Sequence, residues 1–68
     1  MGDHKKLRSL VFGEYKSCRH FSMASNINIH RVYRLLEGKS EPSLDEMRHI
    51  ANMFQLSPAE AWNLFFTH

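Results

Sequence analysis

Apolar side chains fall along this chain in short runs at helical spacing. Leu7, Leu10 and Val11 stand at i, i+3 and i+4, one face of a helix that Asp3 caps and that reaches residue 14. Phe12 lies off that stripe, free for a neighbour or a partner, and Gly13 weakens the helix end before the connection Tyr15-Lys16. A second helix is expected over residues 18–25, with Phe21 as its main core residue, helped by Ala24 and Ser22. A third spans 29–37. Val32, Leu35 and Leu36 share its apolar side with Phe21 and Ile27, and Ile29, His30, Arg31, Tyr33 and Arg34 lie opposite. Leu44, Met47, Ile50, Ala51 and Phe54 give a fourth helix its core face. The fifth, over 58–66, carries Ala61, Trp62, Leu64, Phe65 and Phe66, more apolar surface than a short terminal helix buries on a small domain. No segment has the character of a strand. The expected fold is all-α, a compact bundle of five short helices in one domain.

The boundaries are marked by capping residues. Ser17 and Asn28 are suited to accept from the free amides at the starts of the second and third helices. Between those helices, Ser25-Asn26-Ile27 must turn sharply, and Asn26 tolerates a left-handed backbone. Gly38 ends the third helix, and Pro42 prevents its continuation. Ser43-Leu44-Asp45-Glu46 and Ser57-Pro58-Ala59-Glu60 are capping boxes, the second with proline at the favoured first helical position.

Sixty-eight residues make one domain with a thin core, and 43% hydrophobic with 24% charged residues is ordinary for a globular chain. No run spans a membrane and no signal peptide is visible, so no membrane partner is expected. Cys18 is the one cysteine, which excludes an internal disulfide and fits a reducing cytoplasm. The net charge of +2 is unevenly placed. Residues 15–40 hold Lys16, Arg19, Arg31, Arg34 and Lys39 against Glu37, a balance of +4. Residues 41–68 hold Arg48 against Glu41, Asp45, Glu46 and Glu60, a balance of −3. Positive charge therefore gathers on the second and third helices, as a phosphate-facing surface requires, though solvated helix faces give the same pattern.

Residues 17–38 resemble the helix-turn-helix of the phage-repressor and Cro family, also called the XRE family. The resemblance extends over residues 7–62. Residues 37–44, EGKSEPSL, look like that family's x-G-K-x-x-P-S-L link, and residues 49–57, HIANMFQLS, look like its x-I-A-x-x-L-x-V-S segment. The resemblance implies a bacterial or phage-encoded regulator that binds double-stranded DNA in sequence-specific fashion. Its base contacts correspond to Asn28, Ile29, His30, Arg31 and Arg34. Of these, Arg34 is the best base reader, since a guanidinium binds guanine O6 and N7 together. Ile29 is placed either to touch a thymine methyl or to pack within the chain. Phosphates would meet Lys16, Ser17, Cys18, Arg19 and Lys39 around the start of the second helix. A homodimer through the last helix, with Trp62, Phe65 and Phe66 as interface, is also implied.

Three departures from the family pattern stand out. Cys18 replaces a usual glutamine, and Glu37 occupies a position that in many relatives is basic or amide. Val11 and Leu36 replace a buried Arg–Glu pair, so packing is expected where the family has an ion pair. The acidic Glu37 and Glu41, Cys18 and the aromatic tail also fit a second reading, a protein-interaction module (a modulator or antirepressor) that keeps the fold and has a weakened DNA face. No catalytic role, metal or cofactor is expected. The chain has no Gly-rich phosphate loop, nucleophile elbow or HExxH, and beyond Cys18-x-His20 its histidines are scattered at positions 4, 30, 49 and 68.

Overall fold

The computed structural model describes residues 4–66, which form five α-helices: α1 His4–Glu14, α2 Cys18–Ser25, α3 Ile29–Leu36, α4 Leu44–Met53 and α5 Pro58–Phe66. The expected Asp3 cap lies outside the described residues. Glu37 is the C-cap of α3 rather than its last turn. The helices share one core of Leu7, Val11, Phe21, Val32, Leu35, Leu36, Ile50, Leu64 and Phe65. Helix α1 packs against α2, α3 and α5; α2 also packs against α3 and α4, and α4 packs against α5.

Val11 and Leu36 are both buried in that core. Apolar packing thus occupies the place where an ion pair was expected to be replaced. Tyr15 is more than a connection. Its ring meets Phe21 and Phe54 edge-on at 5.3 and 5.9 Å, and Phe21 stacks on Phe54 at 6.1 Å. Those three rings join α2 to the end of α4.

Three core assignments are corrected. Leu44 is 70% exposed, because its place in the first turn of α4 lies beyond the reach of the core. Ala24 is exposed, and Ser25 is the buried residue of that turn of α2. Phe65, expected at an interface, is a core residue, while Trp62 and Phe66 remain 59% and 42% exposed. One turn apart on α5, those two rings lie against each other at 4.7 Å.

The turn between α2 and α3 is fixed by side chains as well as by backbone. Asn26 has φ +60. Ser25 Oγ accepts from the Ile27 amide at 3.2 Å, and Ser22 Oγ donates to the Ile27 carbonyl. From α4, His49 Nε2 lies 2.7 Å from the Ser25 carbonyl. A carbonyl only accepts, so this imidazole nitrogen donates.

Helices α3 and α4 end alike. Lys39 N donates to Arg34 O at 2.9 Å and Gly38 N to Leu35 O at 3.3 Å. Leu56 N and Gln55 N do the same to Ala51 O and Asn52 O. Both are Schellman closures, with the left-handed residue at Gly38 (φ +75) and Gln55 (φ +55). Only the first uses glycine, and there a Cβ would also stand 2.7 Å from the His4 ring. Gly38→Ala is therefore expected to lower unfolding stability by about 1–2 kcal/mol from left-handed strain, and Gln55→Gly to raise it by up to about 1 kcal/mol. Urea unfolding of the two variants beside wild type measures both signs.

Candidate functional site

Burial of Val32, Leu35 and Leu36 turns the other side of α3 outward. His30, Tyr33, Arg34 and the cap residue Glu37 are all exposed, at the i, i+3, i+4 and i+7 positions of one stripe. At its start, Asn28 Oδ1 caps the helix by accepting from His30 N at 2.8 Å, which leaves the side-chain NH2 as donor. Ile29 is half-buried, beside Ile27 in a shallow hollow with Arg19 and Met23. The Arg34 guanidinium makes no hydrogen bond or ion pair among the described residues and is exposed.

At the start of α2, Ser17 Oγ accepts from His20 N at 3.1 Å. Lys16, Ser17 and Arg19 are exposed around this turn, and Cys18 is half-buried. Burial, and after it the negative charge of Glu37, pushes the Cys18 thiol above its ordinary range, so it remains a neutral S–H. Lys39 Nζ in turn lies 3.6 Å from the Glu37 carboxylate, with both side chains largely exposed. Lys16, Ser17, Cys18 and Arg19 thus share the start of α2, while Lys39 lies beside the acidic Glu37.

Arg31 is placed differently from its neighbours. Its Nε donates to Glu46 Oε2 at 2.9 Å, and its Nη2 donates to Glu46 Oε1 at 2.7 Å and to the Glu41 carbonyl at 2.8 Å. Its Nη1 donates to Ser40 Oγ. Four of the five guanidinium N–H groups are thus engaged within the chain. Glu46 also closes the capping box of α4, accepting from Ser43 N at 2.7 Å while its own amide donates to Ser43 Oγ at 3.1 Å. The capping box is legible from Ser43 and Glu46 alone. The Arg31 contact, 15 residues away in sequence, is not.

A groove of about 340 Å³ opens between α4 and α5, with Leu44, Met47, Ala51, Trp62 and Phe66 among its walls. Buried Phe65 also lines it. Among the described residues no three His, Cys, Asp or Glu side chains gather as metal ligands. No described helix is long and apolar enough to cross a membrane. Comparisons with protein-family models, curated proteins and solved structures give no match for this chain.

The Arg31 hydrogen bond is the first cause of a depressed Glu46 carboxyl, held near 2 against an ordinary 4.5; burial opposes it, and the Ser43 amide assists. A carboxyl depressed in the folded state contributes stability that is complete above its unfolded pKa and is lost as pH falls toward the folded one. Wild type is expected to lose stability between about pH 4.5 and pH 2, and Glu46→Gln to flatten part of that decline. Urea midpoints across this window decide the matter; parallel curves for the two proteins would contradict it.

Proposed function

We propose that this chain is a small regulator of the phage-repressor and Cro type, which reads double-stranded DNA with the exposed stripe of α3 in the major groove. The observation that supports this most is the exposed Arg34 guanidinium, without a partner among the described residues, one turn beyond His30 on a helix whose opposite side is anchored in the core. A fixed helix with an unengaged guanidinium suits bidentate recognition of guanine. Asn28, Ile29 and His30 precede it at the end of the helix that enters the groove first. Lys16, Arg19 and the outermost amides of α2 hold flanking phosphates, with the Ser17 hydroxyl and the neutral Cys18 thiol beside them. Tyr33 joins the contact surface from between His30 and Arg34.

In this reading two copies pair through the exposed Trp62 and Phe66 and the groove beside them, presenting two α3 helices to successive major-groove faces. The same exposed aromatic pair favours the second reading, in which α5 holds a different protein and DNA binding is weak. Glu37 separates the two, since it lies on the α3 stripe and faces Lys39.

Arg34→Ala is expected to cost about 1–3 kcal/mol on a selected duplex and little on random duplex. Equal losses on both would make Arg34 a phosphate contact. Glu37→Lys is expected to strengthen binding to both duplexes and to steepen the fall of log affinity with log salt by about one contact. An unchanged salt dependence would place this face away from phosphate and favour the protein-partner reading. Fluorescence anisotropy over a salt series reads both variants.

A further inference from the structure

We infer that Arg31 and Glu46 form a clamp that sets the orientation of α3, and that Arg31 acts as a positioning residue rather than as a contact to DNA. The inference rests on the DNA-reading proposal for what α3 faces, but the clamp itself is geometric.

The first ground is where backbone packing is missing. Helix α3 packs against α1 and α2, whereas α4 packs against α2 and α5. Among the described residues the backbones of α3 and α4 do not approach each other. Their connection runs through the left-handed Gly38 and on to Ser43, with no helix in it. Arg31 spans this interval. One guanidinium holds the Ser40 hydroxyl, the Glu41 carbonyl and both oxygens of Glu46. It therefore ties α3, the connection and the first turn of α4 into one unit.

The second ground is that both partners are held from behind. The Arg31 stem rises from a helix fixed by buried Val32 and Leu35, its neighbours on the inward side. The Glu46 carboxylate is also held by the Ser43 amide, so it has an anchor besides Arg31. A bidentate fork between two anchored groups transmits angle as well as distance, which a single hydrogen bond does not.

The third ground is charge. Glu46 stands against the Arg31 guanidinium at 2.7 Å, so this arginine adds little to the positive field around α3. The remaining field comes from Lys16, Arg19 and Arg34, with Lys39 shared with Glu37. A base-reading role for Arg31 would require breaking four hydrogen bonds within the chain.

The test uses the full chain as wild type, Arg31→Met, Glu46→Gln and the double variant. Hydrogen exchange without DNA comes first. Both single variants are expected to speed exchange at least about tenfold at the hydrogen-bonded amides of residues 39–43, those of Lys39 and Ser43, while the amides of Val32 and Ile50 keep their protection. Unchanged exchange in that segment would overturn the clamp, whatever the protein binds. Anisotropy on selected and random duplexes follows. Each single variant is expected to lose about tenfold in affinity for the selected duplex, and the double variant to lose no more than either single one. Opposite effects, a loss with Arg31→Met and a gain with Glu46→Gln, would make Arg31 a DNA contact masked by Glu46 and overturn its positioning role. If wild type prefers no duplex, the DNA-reading proposal fails, and with it the part of this inference that concerns DNA. The exchange data still decide the clamp.

Discussion

Two helices of eight residues carry the candidate surface, and neither is long enough to hold its shape alone in water. Burial of one side of each makes them helices at all. Phe21 from α2 and Val32, Leu35 and Leu36 from α3 enter the core that α1, α4 and α5 complete. Because those residues are committed inward, the outward positions follow from helical period alone: His30, Tyr33, Arg34 and Glu37 have no other place to be. The same burial at Val11 and Leu36 lets α1 support α3 with no buried charge, which avoids the desolvation of an ion pair.

Burial fixes which side of α3 faces outward, but polar groups fix how α3 sits. On one flank, Ser22, Ser25 and His49 hold the turn at Asn26. On the other, Arg31 reaches across to the capped start of α4. Beyond its packing against α2, helix α4 thus reaches the α2–α3 unit through two polar side chains, His49 at the turn and Glu46 at the clamp. Capping groups have two uses in this chain. Glu46 closes a helix and receives an arginine, and Ser25 lies in the last turn of α2 while its hydroxyl accepts from the Ile27 amide in the turn that follows.

Much of this was legible in the sequence because it is local. The caps at Ser17, Asn28 and Ser43, the left-handed Asn26 and Gly38, and the stripes of α1 and α3 depend on residues within five positions of one another. What was not legible is non-local or lacks contrast. Helix α5 is apolar nearly all round, so periodicity alone could not separate buried Phe65 from exposed Trp62 and Phe66. Leu44 matched the spacing of a core residue, yet the first turn of α4 lies outside the core. Tyr15 carried no periodic signal, because its ring packs from a connection. Arg31 looked like its neighbours on α3 until Glu46, far off in sequence, came within 2.7 Å. At Gln55 the left-handed cap carries no glycine, the one cap whose residue type gave no sign of it.

The central claim is that the outward stripe of α3 reads DNA. The most direct measurement is fluorescence anisotropy of the wild-type chain on a duplex enriched from a random pool, beside random duplex, over a salt series. The account predicts a selected sequence bound at least about a thousandfold more tightly than random DNA, with log affinity falling linearly against log salt. Equal affinity for selected and random duplex, or no binding even at low salt, would contradict it and turn attention to what the exposed Trp62 and Phe66 hold.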